Sequence, residues 1–131
     1  MFSYFRPGDD YTNLVDAFNA YVPPGLVSRP LSDLVYVNYA RNSDLDEVEK
    51  ILGKGALQGK ICIARYGKGF RGSKITNCQA RGAAAIIIFS DPHEVATMGT
   101  DPDHVYPNSI FLPEHGMQRG GTKVFKNKED G

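Results

Sequence analysis

The sequence predicts an α/β domain: a mixed or parallel sheet with short crossover helices. Three observations carry this expectation. The apolar runs LVYV at 34–37, ICIA at 61–64 and AAIIIF at 84–89 have the β-branched and aromatic character of strands. The segments between them space their apolar residues three and four apart, as helices do. Glycines close both helical segments, Gly53 and Gly55 after the first and Gly82 after the second. Strand, helix, strand, helix, strand over 34–90 favours parallel pairing through right-handed crossovers.

At 131 residues the chain fits one domain, and a domain of this size buries roughly two-thirds of its unfolded surface. Residues 1–33 are punctuated by Pro7-Gly8, Pro23-Pro24-Gly25 and Pro30 between aromatic patches. They read as extended chain wrapping a surface, with one short strand near 17–21. DLVYVNYAR follows as a strand ending near Arg41. Asn42 or Ser43 is the expected cap of the helix DLDEVEKIL, whose Leu45, Val48, Ile51 and Leu52 share a face. Residues 60–66 form the next strand. A helix over 73–81 turns Ile75, Cys78 and Gln79 inward. The strand at 84–90 is apolar enough to be covered on both faces. After Asp91 the sequence is loop-rich, with SIFL as a last short strand, and 120–131 is a polar, ragged tail.

Net charge is zero. No apolar run approaches the roughly 18 residues of a membrane span, so composition favours neither nucleic acid nor direct membrane contact. The balance hides an asymmetry: residues 50–90 hold eight cations and no acid, whereas 1–49 hold eight acids against three cations. Gathered on one face, Lys50, Lys54, Lys60, Arg65, Lys68, Arg71, Lys74 and Arg81 would attract anions. The alternative is that they are solvated around the sheet edges. Cys62 and Cys78 lack metal-ligand spacing and read as buried reduced thiols. MFSYFRPGDD has neither the charged nor the apolar region of a secretory leader, and no N-x-S or N-x-T occurs.

The stretch GKGFRG at 67–72 matches the G-x-G-x-x-G that cradles a dinucleotide pyrophosphate, and Asp91 stands near the place of a ribose-binding acid. That fold needs further β-α units after the first, and the chain has no helical pattern left to build them. The glycines are better explained as a sharp strand-to-helix turn. His93, His104 and His115 lie beside Asp91, Asp103 and Glu114. Without short helical spacing they read as solvated loop histidines rather than metal ligands.

LVYVNYAR, GKICIARYGKGFRG and the tail YPNSIFLPEHGMQRGG together resemble the protease-associated (apical) domain of the glutamate carboxypeptidase II and N-acetylated alpha-linked acidic dipeptidase family. The resemblance runs from about Gly8 to Arg119. It implies a swivelling β/β/α domain over 1–119, with the N-terminal wrap at 1–33. The tail at 120–131 would lead towards a peptidase domain that this sequence does not contain. In that family the parent is a single-pass, cell-surface zinc peptidase whose two zinc ions sit in the peptidase domain; related transferrin receptors carry the domain without peptidase activity. This chain would then hold no cofactor, no metal site and no catalytic residue, and would hydrolyse nothing alone. Its partners would be the peptidase domain of the same parent and a peptide with a free C-terminal carboxylate. A homodimeric parent stays open, as does a free-standing interaction module.

The resemblance also assigns residues. Arg41, which closes NYAR, stands where the family binds the substrate's α-carboxylate, and its planar fork suits that anion. Asn38 flanks it and belongs to the same candidate substrate-binding set, although shaping the strand is its alternative role. The family's second contact, an asparagine before the Leu-Pro of the tail, falls on Phe111, with Asn108 or Ser109 as substitutes if the loop shifts. A phenylalanine there would favour apolar C-terminal residues over glutamate. Phe70, Arg71 and Gly72 form either a structural turn or a surface against the peptidase domain.

Overall fold

The computed structural model describes residues 32–114 and 116–123. Three strands form one sheet in the order β1 (Leu34–Tyr36), β2 (Ile61–Arg65), β3 (Ala85–Phe89). Both pairings are parallel, with Leu34 opposite Ile61 and Ile61 opposite Ala85. Helices α1 (Asn42–Leu52) and α2 (Arg71–Ala80) make the two crossovers. A four-residue α3 (Pro92–Val95) and a 3₁₀ turn (Pro102–His104) follow. The α/β class and the parallel pairing are therefore as the sequence predicts. The expected wrap and the strand near 17–21 lie outside the described residues, apart from positions 32 and 33.

The core lies where α1 and α2 meet one face of the central strand. Val37, Ala40, Leu45, Leu57, Cys62, Ala64 and Cys78 are buried together, with Val35, Val48, Ala83 and Ile86 packed against them. β2 alternates strictly, its small Cys62 and Ala64 facing the helices. The two thiols are reduced and face each other, Cys78 donating to Cys62. That hydrogen bond, with burial, pushes the Cys78 thiol far up.

Several elements depart from the sequence expectation. β1 stops at Tyr36 rather than running to Arg41, because Asn38 and Ala40 adopt positive φ (52° and 53°) and turn the chain out of the ladder. Neither Asn42 nor Ser43 caps α1; Arg41 is the N-cap, and Asp44 reaches back to its backbone N–H at 3.0 Å. On α1 only Leu45 is buried, while Ile51 and Leu52 are 72% and 60% exposed. Leu57 from the following turn fills the core instead. α2 begins at Arg71, and its inward face is Gly72, Lys74 and Cys78, with Gln79 exposed. Among the described residues β3 lies at the edge of the sheet, and its Ile87 is exposed, so it is not covered on both faces. SIFL forms no strand: Tyr106 N donates to Phe111 O and Leu112 N to Val95 O, closing a loop.

Part of the cationic set of 50–81 is paired with acids. Lys60 pairs with Asp33, Arg65 with Asp91, and Arg81 with Asp46 and Glu49. Leu45→Ala should destabilise the chain by about 2–4 kcal/mol, measured by urea unfolding. Both thiols should stay unreactive towards an aromatic disulfide reagent until the chain unfolds, since both are buried.

Candidate functional site

Between β1 and α1 the chain makes a turn in which every carbonyl is occupied. Val37 O accepts from Ala40 N at 2.8 Å, Asn38 O from Arg65 N at 2.9 Å, and Arg41 O from Leu45 N at 3.0 Å. The two carbonyls between them are taken by side chains of α2: Lys74 Nζ donates to Tyr39 O at 2.7 Å, and Asn77 Nδ2 to Ala40 O at 3.0 Å. Lys74 Nζ also donates to Gly67 O at 2.7 Å, tying this turn to the glycine loop. Lys74 is 2% exposed. Burial lowers its pKa from the ordinary lysine value, against the pull of Asp44.

The glycine loop is thus filled from inside by an ammonium. Gly67, Lys68 and Gly69 take positive φ, as a sharp strand-to-helix turn requires. Gly67 also passes close to the Tyr39 ring, 3.4 Å from where a Cβ would stand.

Tyr39, itself buried, is surrounded by cations. The Arg65 guanidinium lies 4.2 Å from its ring centroid, Arg41 5.3 Å and Lys74 5.6 Å. Its hydroxyl donates to Glu94 on α3, a bond that raises the Tyr39 pKa and lowers that of Glu94. Arg65 holds the next shell, binding Asn38 Oδ1 through Nε at 2.9 Å and Nη2 at 2.7 Å, and Asp91 through Nη1 at 3.1 Å.

Arg41 is half exposed and, among the described residues, its side chain is bound along one edge. Nε donates to Asp44 Oδ2 at 2.9 Å and Nη2 to Asp44 Oδ1 at 3.0 Å. A guanidinium has five N–H donors, so this side-on pair leaves three, two on Nη1 and one on Nη2. These form the end-on fork that binds a second carboxylate in the same plane. Arg41 lines an open depression of about 260 Å³ together with Tyr39, Lys68, Phe70, Ser73 and Asn77. Arg41, Lys68 and Lys74 make the described lining electropositive, with Asp44 paired to Arg41 beside it.

Of the residues marked in the sequence, Arg41 and Phe70 share this depression. Asn38 is turned inward, its amide donating to Asp44 Oδ1 at 3.0 Å. Arg71 lines a neighbouring cavity of about 200 Å³ with Gly67, Glu94 and Gln118, and its Nε donates to Gly121 O at 3.1 Å. Gly72 is buried inside α2. Phe111 and Asn108 lie on the loop after the 3₁₀ turn and do not line the Arg41 depression. The Asn108 amide donates to Pro102 O at 3.1 Å. Among the described residues no three His, Cys, Asp or Glu side chains cluster as a metal site.

The PA domain family matches residues 14–123. The chain belongs to the PA domain family. It is 44% identical over 101 residues to a glutamate carboxypeptidase 2 homolog of Caenorhabditis briggsae, covering 77% of this chain and 12% of that protein. To aminopeptidase NAALADL1 of Rattus norvegicus it is 35% identical over 109 residues, 82% of this chain and 14% of the relative. To transferrin receptor protein 1 of Gallus gallus it is 36% identical over 77 residues, 58% and 9% of the two chains. The chain therefore spans about an eighth of the length of the first of these relatives.

In this PA domain the residues around Arg41 that escaped the sequence reading are Asp44, Asn77 and Glu94, while Arg65 and Lys74 were named there only as members of the cationic set. Asp44 had a legible signal, an acid three residues after the true N-cap. Lys74 and Asn77 had none, because lysine and asparagine on a short helix ordinarily face water.

The Arg41 hydrogen bonds are the main cause that lowers the Asp44 pKa from 3.8. A depressed carboxyl stabilises the fold above its unfolded pKa, and that stability is lost as pH falls through the lower folded value. Asp44→Asn should therefore be less stable than the parent chain above pH 5. It should also lose less stability on acidification below about pH 4, read as urea midpoint against pH.

Proposed function

We propose that this PA domain is the substrate-recognition lid of a zinc-dependent, glutamate-carboxypeptidase-like peptidase, in which Arg41 binds the free C-terminal carboxylate of a peptide. The observation that carries the proposal is the Arg41 guanidinium, pinned along one edge by Asp44 and lining a depression that it shares with Lys68 and Lys74. A pre-oriented fork loses little rotamer freedom when the anion arrives, which favours tight and directional binding. Peptidase names among the relatives, and the small share of their length that the chain spans, support a larger parent.

In this proposal the chemistry lies elsewhere in the parent. A peptidase domain would hold two zinc ions, activate water and attack the scissile bond. The PA domain would fix the far end of the substrate, a positioning contribution to catalysis. The parent would be anchored in the membrane with this domain on the cell-surface side. No described helix is long and apolar enough to cross a membrane. Phe111 would lie near the side chain of the substrate's last residue. The similarity to a transferrin receptor favours a second reading, a PA domain serving as an interaction module without hydrolysis.

The test uses the full-length parent and synthetic N-acetyl dipeptides ending in glutamate or leucine, each with a free or an amidated C-terminus. Arg41→Ala should raise KM for the free acids at least about tenfold, as loss of one partner of a charge-assisted pair does. Cleavage that does not depend on a free carboxylate would refute the role of Arg41. Absence of any hydrolysis by the parent would favour the interaction module.

A further inference from the structure

The Arg41 fork is useful only if it points one way, and the backbone that carries it is held in an unusual shape. Two non-glycine residues with positive φ, Asn38 and Ala40, bracket Tyr39 immediately before Arg41. Such a conformation persists where the surroundings over-determine it, and it is commonly found where a side chain has to be aimed. The hydrogen bonds that could relax without unravelling a strand or helix are the two from α2, Lys74 to Tyr39 O and Asn77 to Ala40 O. They come from residues three apart on one helix face and seize adjacent peptide groups, so together they fix both the height and the rotation of the peptide leading into Arg41.

We propose that Asn77 and Lys74 are positioning residues for substrate binding: they clamp the Ala40 and Tyr39 carbonyls and so set the direction of the free Arg41 fork. The proposal rests on the reading of Arg41 as the carboxylate anchor. The two residues divide the task unequally. Lys74 is buried and also bonds Gly67 O, so it joins the Arg41 turn to the glycine loop and fixes the depression between them. Asn77 is partly exposed, lines that depression and, among the described residues, its side chain bonds the peptide next to Arg41 alone. Asn77 is therefore the residue whose removal reports on aiming rather than on folding.

The experiment is a double-mutant cycle in the full-length parent with the free-acid dipeptides, each variant checked by its thermal midpoint. Asn77→Leu keeps the side-chain shape and removes the donor. It should raise KM about fivefold with kcat within about twofold, and in an Arg41→Ala background it should add nothing, because the fork it aims is gone. Asn77→Gln, which restores a donor on a longer arm, should recover part of the loss. Asn77→Ala serves as the second probe if the leucine variant misfolds. An unchanged KM for Asn77→Leu or Asn77→Ala, alongside a raised KM for Arg41→Ala, would overturn the clamp and leave the anchor standing. An Asn77 effect that persists undiminished without Arg41 would overturn it too. If Arg41→Ala itself leaves KM unchanged, the anchor fails and takes the clamp with it.

Discussion

The ammonium of Lys74 lies buried between the carbonyls of Tyr39 and Gly67, 2.7 Å from each, and the candidate site is arranged around it. Those carbonyls belong to two loops at the same end of the parallel sheet, one leaving β1 and the other leaving β2. Without a donor between them they would be desolvated and unpaired, a costly state for buried peptide groups. A charged donor with three N–H groups satisfies both and draws the loops together. Among the described residues, no buried side-chain nitrogen or oxygen lacks a partner.

Around this point the polar groups form layers. Tyr39 offers its carbonyl to Lys74, its ring to three cations and its hydroxyl to Glu94. Arg65 links Asn38 to Asp91 across the ends of β2 and β3. A network in which each member has its partners fixes one geometry, whereas apolar packing alone tolerates many. Arg41 stands at the outer layer of this network, where rigidity meets solvent. The neighbouring apolar core of Leu45, Leu57 and Val37 supplies the burial that makes the arrangement worth more than it would be in water.

The loop GKGFRG illustrates how a motif and its environment can disagree. Its spacing matches a phosphate cradle, yet its Gly67 carbonyl is turned towards Lys74 and its helix begins beside a half-exposed Phe70. The glycines are there for positive φ and for the close approach to the Tyr39 ring. The same loop bounds the Arg41 depression, so its conformation matters to the site.

The sequence by itself determined the α/β class, the parallel pairing over 34–90 and the two crossover helices, because hydrophobic period and glycine stops are local signals; the family was legible through the resemblance of its contiguous motifs. It also marked Arg41 through a contiguous motif. Tertiary structure decided where β1 ends, since the positive φ at Asn38 and Ala40 is sustained by bonds from residues 27 to 37 positions away. It likewise decided which face of α2 is buried. The helical reading chose Ile75, Cys78 and Gln79, of which Cys78 is buried, whereas the carbonyls of two distant turns drew Lys74 and Asn77 inward. A buried lysine is favourable only once its acceptors have been brought together, and no local pattern in the chain encodes that meeting.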